Sequence, residues 1–373
     1  MRVLVTGSLG FIGKNIVVRL LECPNTEVLQ FVRGEQVYTL NELVSKADVI
    51  VHLAGVNRPE ETAEFERCNA DLTKVLCDMV ASSGRKIPLL LASSTQAVLE
   101  NPYGQSKLAA EHIIEQFAHE TKNPTAIYRL PGVFGKWCKP NYNSVIATFC
   151  HNIANDLPIQ INDPEICLSV VYVDDVVNAF LHSLTTLSDG LQWRAVEPIY
   201  NITLADLSAQ LYAFKNCRTN MMIERVGVGL IRALYSTYMS YLPMSKFVYD
   251  LPMHHDERGE FVEMLKTPDC GQFSFFTAYP GITRGGHYHH SKSEKFLVIK
   301  GAAQFRFRHI FTGETYEIFT SNEKPQVVET IPGWTHDITN VGQTEMVVML
   351  WANEVFDRQK PDTIMCKVEY ETT

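Results

Sequence analysis

Three places in this chain have residue types and spacing that could do chemistry. The first is Thr6-Gly7-Ser8-Leu9-Gly10-Phe11-Ile12-Gly13, between an apolar run and a helix-patterned stretch. Glycines at such a junction allow a tight turn and let backbone amides reach a pyrophosphate at a helix N-terminus. This reads as dinucleotide binding, with Gly7, Leu9, Gly10, Phe11, Ile12 and Gly13 as the cradle. The second place is Tyr103-Gly104-Gln105-Ser106-Lys107. Tyr103 and Lys107, four apart, share one face of a helix. The ammonium is expected to lower the phenol's pKa and to bind the nicotinamide ribose. Tyr103 would then protonate a carbonyl oxygen as hydride reaches its carbon. Ser94, or its neighbour Ser93, would hydrogen-bond that oxygen. The third place is the last third of the chain, where seven of the twelve histidines lie at or beyond position 254.

The elements that position these residues follow from pattern. Through about residue 190, apolar runs (Val3–Val5, Val28–Val32, Asp48–Leu53, Pro88–Leu91, Ala126–Leu130) alternate with helical stretches at 11–22, 61–83 and 106–120. That alternation implies an α/β domain with a parallel Rossmann sheet covered on both faces. Further helices are expected at 142–154, 173–186, 203–214 and 226–240. Beyond about 245 there are short strand-like runs at 260–265, 272–279, 295–300, 303–309, 314–319, 326–331 and 345–351. These imply an all-β sandwich or barrel. The boundary is placed near Tyr241-Leu242-Pro243-Met244, giving domains 1–243 and 244–373.

Composition narrows the class. With 373 residues, 46% hydrophobic and 20% charged, the chain is globular with roughly two domains. A net charge of −9 argues against nucleic acid or an anionic membrane as partner. No apolar run is long enough to span a bilayer, and the N-terminus does not read as a secretory leader. Nine scattered cysteines without a CxxC pair favour a reducing compartment, the cytoplasm.

The second apolar run ends Gln30-Phe31-Val32-Arg33, without the acid that an NAD ribose site would use. Arg33 could pair with a 2′-phosphate, so NADP(H) is expected. The TGxxGxxG spacing, His52-Leu53-Ala54-Gly55, YxxxK, Arg129-Leu130-Pro131-Gly132-Val133-Phe134-Gly135 and Val173-Asp174-Asp175-Val176 together resemble the extended short-chain dehydrogenase/reductase family. The resemblance covers about residues 1–240. It implies that Leu53, Ala54 and Gly55 line the adenine side of the cofactor, and that Tyr103 and Lys107 contact its ribose. It also implies that the loop with Lys136, Lys139 and Asn143 meets a nucleotide-sugar diphosphate; Asn57 and Arg58 form a second candidate substrate edge. Ser94 and Tyr103 are nine apart, shorter than usual for the family, so the loop between them must be trimmed. Thr95-Gln96 replaces the acid pair of the family's dehydratases, which points to reduction rather than dehydration.

Gly281-x5-His287-x-His289-x4-Glu294-x6-Gly301 and Gly333-x2-His336-x3-Asn340 match the two cupin motifs, except that Pro332 directly precedes Gly333. Histidines at i and i+2 face one side of a strand. Glu294 and His336 can then complete a 3-His-1-carboxylate site suited to a divalent metal: zinc, nickel, manganese or iron, with zinc favoured. His290 would face the other way, toward the surface. Asp256-Glu257-Arg258-Gly259-Glu260-Phe261-Val262-Glu263 resembles the DxRGxFxE segment of the deoxysugar 3,5-epimerases, also cupin (jelly-roll) barrels. That resemblance implies a base at His287, which leaves His287 with two competing roles, ligand and base.

A reductase followed by an epimerase-like cupin resembles the two-domain capsular polysaccharide enzymes of the CapF type and their lipopolysaccharide relatives. The resemblance spans the chain. It implies a UDP-4-keto-6-deoxy-N-acetylhexosamine substrate, C3 epimerisation, and NADPH reduction at C4 to UDP-2-acetamido-2,6-dideoxy-L-talose on the route to UDP-N-acetyl-L-fucosamine. It also implies a homodimer. A cupin that only binds or dimerises is the alternative.

Overall fold

A computed structural model describes the chain except residues 58–60, 62, 252, 257–258, 263, 266, 268–271, 355–358 and 370–373. Arg58, Glu257, Arg258 and Glu263 therefore lie outside the described residues. Packing divides the chain into two compact units: Met1–Ser144 with Cys167–Ile202, and Val145–Ile166 with Thr203–Thr373. The position 243/244 marks the change from helices to strands, whereas packing gathers the helices on both sides of 166–203 with the strands.

The first unit begins β1 (Arg2–Thr6), α1 (Phe11–Leu21), β2 (Glu27–Phe31), α2 (Val37–Lys46) and β3 (Val49–His52). Next come α3 (Ala63–Phe65), a π-helical turn (Glu66–Asp71) and α4 (Leu72–Ser82). Then follow β4 (Leu89–Ser94), a 3-10 turn (Thr95–Val98), α5 (Pro102–Thr121), β5 (Thr125–Leu130) and β6 (Gly132–Phe134). After α6 (Val145–Ala154), which belongs to the second unit, the first closes with β7 (Cys167–Tyr172), α7 (Val173–Thr186), β8 (Leu191–Arg194) and β9 (Tyr200–Thr203). The main sheet is parallel, in the order β2-β1-β3-β4-β5-β8. Leu4, Ile50, Leu89, Leu91 and Ile127 pack on one face with Leu40, Val44, Leu76, Val80, Ile114 and Phe117 from α2, α4 and α5. On the other face Tyr128 stacks on Phe180 of α7 at 4.5 Å. This is the expected Rossmann fold. The strand order reverses between β1 and β3, and in open α/β sheets ligands bind outside the carboxyl ends at that point.

Two sequence readings of this unit change. α2 was not expected, although Leu40 and Val44 show the four-residue spacing of a buried stripe. The single helix expected over 61–83 is interrupted by the π turn, which buries Asn69 and Ala70. Such turns often mark functional sites.

The second unit contains α6, α8 (Leu204–Asn220), α9 (Gly229–Met239) and the strands β10 (Val248–Asp250), β11 (Met253–Asp256), β12 (Gly259–Val262), β13 (Gln272–Ala278), β14 (Thr283–Tyr288), β15 (Glu294–Lys300) and β16 (Ala302–His309). It ends with β17 (Thr315–Ser321), β18 (Gln326–Glu329), β19 (Trp334–Asn340), β20 (Met346–Ala352) and β21 (Ile364–Met365). β11 and β12 form a hairpin over the DxRGxFxE segment. Two antiparallel five-stranded sheets, β10-β18-β15-β20-β13 and β17-β16-β19-β14-β21, build the jelly-roll cupin. Phe296 and Phe305, one from each sheet, meet at 5.6 Å inside it. β14 and β19, which carry His287 and His336, lacked a clean strand pattern because glycines in β14 and polar residues in both interrupt it.

The outer face of β15 carries a buried charge network. Lys295 pairs in register with Glu329 across β15 and β18, and both are about 1% exposed. Arg218 of α8 also reaches Glu329, and Tyr249 of β10 accepts from Lys295 Nζ at 3.3 Å. Breaking a buried pair leaves a charge without its counter-charge. Glu329→Gln should therefore lower stability by about 3–5 kcal/mol, read as a lower urea midpoint by circular dichroism.

Candidate active site and metal centre

The glycine-rich turn closes the carboxyl end of β1. Gly7 has φ of +68°, and a Cβ there would lie 2.8 Å from the Ala54 amide nitrogen, so only glycine fits. α1 starts after Gly10 with no capping side chain and no acidic residue in its first turn, leaving amides suited to an anion. Leu53 and Ala54 donate their amides to Thr6 Oγ1 at 3.2 Å each, which holds the His52-Leu53-Ala54-Gly55 segment against the turn. Arg33 is 79% exposed beyond β2 and pairs with Glu64 at 3.0 Å.

The start of α5 is built for position. Asn101 caps it by accepting from the Gly104 amide at 2.8 Å, and Pro102 occupies the first turn. A Cβ at Gly104 would meet the Gln96 carbonyl oxygen at 2.2 Å. Glycine thus lets the helix lie directly on the 3-10 turn, which is how so short a loop joins Ser94 to Tyr103. Ser94 accepts from the Gln96 amide at 3.1 Å, and its side chain faces the Tyr103 phenol closely enough to oppose the rise in its pKa. Ser93 is committed elsewhere, donating to buried Glu111 at 2.5 Å. Glu111 also takes a bidentate contact from Arg129, whose guanidinium lies over Trp193. Lys107 is buried and donates to the Ala92 carbonyl at 3.0 Å. Burial pushes its pKa down to about 8, against the opposing pull of Glu111. The expected lowering of the Tyr103 pKa does not occur: burial raises it, and the Ser94 side chain offsets this only in part. The phenol is therefore a protonated donor.

Sequence reasoning missed the support behind this pair. Asn69, in the π turn, accepts from the Val56 amide at 2.8 Å and donates to Val56 O at 3.1 Å and Ser106 Oγ at 2.8 Å. His52 lies 2.7 Å from Thr6 Oγ1 and 2.9 Å from Thr73 Oγ1. Thr6 Oγ1 already accepts two amides and Thr73 donates to Asn69 O at 2.5 Å. The Thr6 hydroxyl therefore donates to Nδ1, and Nε2–H donates to Thr73. Burial, then the Lys107 charge, holds His52 neutral with a pKa of about 3. The buried asparagine beside the paired β1 and β3 ends was the available signal.

The loop expected to meet a nucleotide-sugar diphosphate departs from expectation at one residue. Lys136 is 1% exposed, and its ammonium is bound by Asp174 of the Val173-Asp174-Asp175-Val176 turn at 2.7 Å. It anchors the loop rather than presenting a charge to solvent. Lys139, over the Tyr142 ring, and Asn143 are exposed, and Asn57 is half-buried.

In the second unit His287, His289, Glu294 and His336 come together as the cupin motifs predict, with one ligand atom of each within 4.8 Å of the others. His287 and His336 are register partners on β14 and β19. His289 follows β14, and Glu294 begins β15. His289 Nδ1 is 2.5 Å from the Asp362 carbonyl oxygen, so the ring donates there and turns Nε2 toward Glu294 Oε2 at 3.1 Å. A lone pair then faces a carboxylate, which calls for a proton or a cation between them. His336 is buried with Nε2 3.5 Å from Glu294 Oε2, and neither of its ring nitrogens makes a well-formed hydrogen bond among the described residues. Burial, with repulsion from His336 and His289, pushes His287 down to about 3. Burial would raise Glu294, but His289, His336 and Lys292 hold it well below the usual carboxylate range. Three imidazoles converging on a charged carboxylate, with ring nitrogens that make no well-formed hydrogen bond, fit a divalent metal. His290, expected at the surface, is 6% exposed and gives its amide to Asp362 at 2.9 Å. His309 caps its own turn, accepting from Phe311 and Thr312 amides. No described helix is long and apolar enough to cross a membrane.

Residues 3–203 match the NAD dependent epimerase/dehydratase family, and residues 254–364 match the polysaccharide biosynthesis C-terminal domain. The chain is 57% identical over 368 residues, 99% of both proteins, to UDP-2-acetamido-2,6-beta-L-arabino-hexul-4-ose reductase of Pseudomonas aeruginosa. The crystal structure of capsular polysaccharide assembling protein CapF from Staphylococcus aureus is similar over 99% of this chain and 100% of that one, at 41% identity and TM-score 0.67. UDP-glucuronic acid 4-epimerase from Bacillus cereus, solved with NAD, shares the fold alone, at 20% identity and TM-score 0.52 over 58% of this chain and 84% of that one.

The two serines should separate by substitution. Ser93→Ala should lower stability by about 1–3 kcal/mol, measured by thermal unfolding. Ser94→Ala should leave the melting temperature within a degree or two and lower keto-sugar reduction instead. With both motifs, the strand order and whole-length likeness in place, the chain belongs to the NAD dependent epimerase/dehydratase family, among members that carry a polysaccharide biosynthesis C-terminal cupin.

Proposed function

We propose that the chain is a bifunctional nucleotide-sugar enzyme: its cupin epimerises C3 of a UDP-4-keto-6-deoxy-N-acetylhexosamine, and its Rossmann unit reduces C4 to give UDP-2-acetamido-2,6-dideoxy-L-talose. The observation that carries the reading is the protonated Tyr103, beside Ser94 and one helical turn from the buried Lys107 ammonium. The order is set by chemistry. A C3 proton is acidic only while C4 is a ketone, so epimerisation comes first.

When bound, NADPH supplies the hydride. Gly7 to Gly13 and the α1 amides would hold its diphosphate; Leu53, Ala54 and Gly55 would line its adenine side; Tyr103 and Lys107 would contact the nicotinamide ribose. Arg33 would exchange Glu64 for the 2′-phosphate. Ser94 orients the substrate ketone, Tyr103 donates its proton to the carbonyl oxygen, and Lys107 keeps positive charge beside the phenolate that remains. Asn57, Lys139 and Asn143 are the candidate substrate edge. His287, His289, Glu294 and His336 would hold the metal, zinc by donor type, which when bound supplies positive charge for an enolate oxygen. His287, the half-buried member, stands closest to solvent for the competing role of base. A homodimer fits the same reading.

Incubation in D2O without NADPH, followed by NMR, should place deuterium at C3; its absence would leave a reductase with a binding cupin. Tyr103→Phe should lower NADPH-dependent reduction by about 10²–10⁴-fold while C3 exchange persists. Because Lys107 acts as an ammonium with a pKa near 8, the reduction rate should fall as pH rises through about 8. Chelation should abolish C3 exchange and spare reduction of a substrate that is already epimerised.

A further inference from the structure

The turn between β14 and β15 carries a proposed ligand at each end, His289 before it and Glu294 after it. A residue from the distant C-terminal segment organises that turn. Asp362 Oδ1 accepts from the His290 amide at 2.9 Å, and Oδ2 accepts from the Ser291 and Lys292 amides at 2.8 Å and from Ser291 Oγ at 3.1 Å. Its backbone carbonyl receives His289 Nδ1–H at 2.5 Å. One residue thus holds the turn by its side chain and orients the imidazole by its main chain.

The segment that presents Asp362 is itself fastened. β21 pairs with β14, placing Ile364 opposite Tyr288 and Met365 opposite His287. The Cys366 amide donates to Gly286 O at 2.8 Å, and Arg308 donates to the Val368 and Lys367 carbonyls at 2.7 and 2.6 Å. From the other side, Ser236 of α9 donates to Ser291 O at 2.6 Å, and Arg232 reaches Ser291 Oγ and lies 3.9 Å from Asp362 Oδ2. An ordinary surface turn does not need a carboxylate spent on three consecutive amides, carried on a strap whose carbonyl meets a proposed ligand.

We propose that Asp362 is a positioning residue of the cupin centre: its carboxylate sets the His290–Lys292 turn, and its carbonyl fixes the His289 tautomer so that Nε2 faces the other three donors. This rests on the metal-centre reading. Outer-shell partners of this kind typically contribute 10–100-fold to metal affinity.

The test uses the full chain, stripped of metal and titrated with Zn2+ against a chromophoric chelator, and with Co2+ read by its visible d–d bands. Asp362→Ala should weaken Zn2+ binding by about 10–100-fold and alter the Co2+ spectrum. Both variants keep the main-chain carbonyl, but Asp362→Asn also keeps one acceptor oxygen to hold the turn and with it the strap's position, and should recover part of the loss. Glu369→Gln, farther along the strap, should bind as the parent does. In the metal-free parent, ¹⁵N NMR of the imidazoles should show His289 as the Nδ1–H tautomer, and Asp362→Ala should mix the tautomers. Parent-like Zn2+ affinity and tautomer in both Asp362 variants, at unchanged circular dichroism, overturns the inference. A parent that binds neither ion yet shows the locked tautomer overturns the metal reading alone. Should Asp362→Ala fail to fold, Asp362→Asn carries both readouts.

Discussion

A charge taken out of water must find a partner or change its protonation state, and both halves of this protein are organised around charges treated that way. In the Rossmann unit the charge is the Lys107 ammonium. Burial drives its pKa toward 8, and Ala92 O and the nearby Glu111 keep it positive at neutral pH. Glu111 in turn is neutralised by Arg129 and receives Ser93. These commitments decide which serine remains for Tyr103. In the cupin the charge is the Glu294 carboxylate, kept ionised by His289, His336 and Lys292. The Lys295–Glu329–Arg218 network on the outer face, and Lys136–Asp174 in the loop after β6, follow the same rule without taking part in the proposed chemistry.

The partners arrive from far along the chain. Asn69 ties the segment after β3 to α5 through Val56 and Ser106, and His52 ties β1 to the same asparagine through Thr6 and Thr73. Asp362 ties the ligand-bearing turn to the C-terminal strap. Neutral His52 can serve this way because burial removes its charge, leaving one donor and one acceptor to satisfy. α8 is fastened to the barrel by Arg218, which places the helices after residue 203 with the strands by packing although their pattern resembles the domain before them.

Much of this was legible in one dimension. The glycine turn, Tyr103 and Lys107, and the four candidate cupin ligands announce themselves because each depends on fixed local spacing: a turn, a helical repeat of four, a strand repeat of two. α7 falls over residues 173–186, as its apolar period implies. β14 and β19 were harder to read, since glycines occupy the middle of β14 and His336 and Asn340 interrupt the apolar alternation of β19. The π turn at Glu66–Asp71 left no periodic signature strong enough to break the expected helix over 61–83. Lys136 and His290 looked like surface groups because exposure depends on what the rest of the chain packs against them.

The sequence by itself determined the two fold classes, the Tyr–Lys pair, the glycine-rich turn and the candidate ligand set, because short-range geometry dictates each. The tertiary structure alone decided which of two adjacent serines faces Tyr103, that Tyr103 stays protonated, that Lys136 is an anchor, and that a carbonyl from residue 362 orients His289. Those outcomes turn on desolvation and on hydrogen bonds between residues tens of positions apart, quantities that spacing along the chain does not contain.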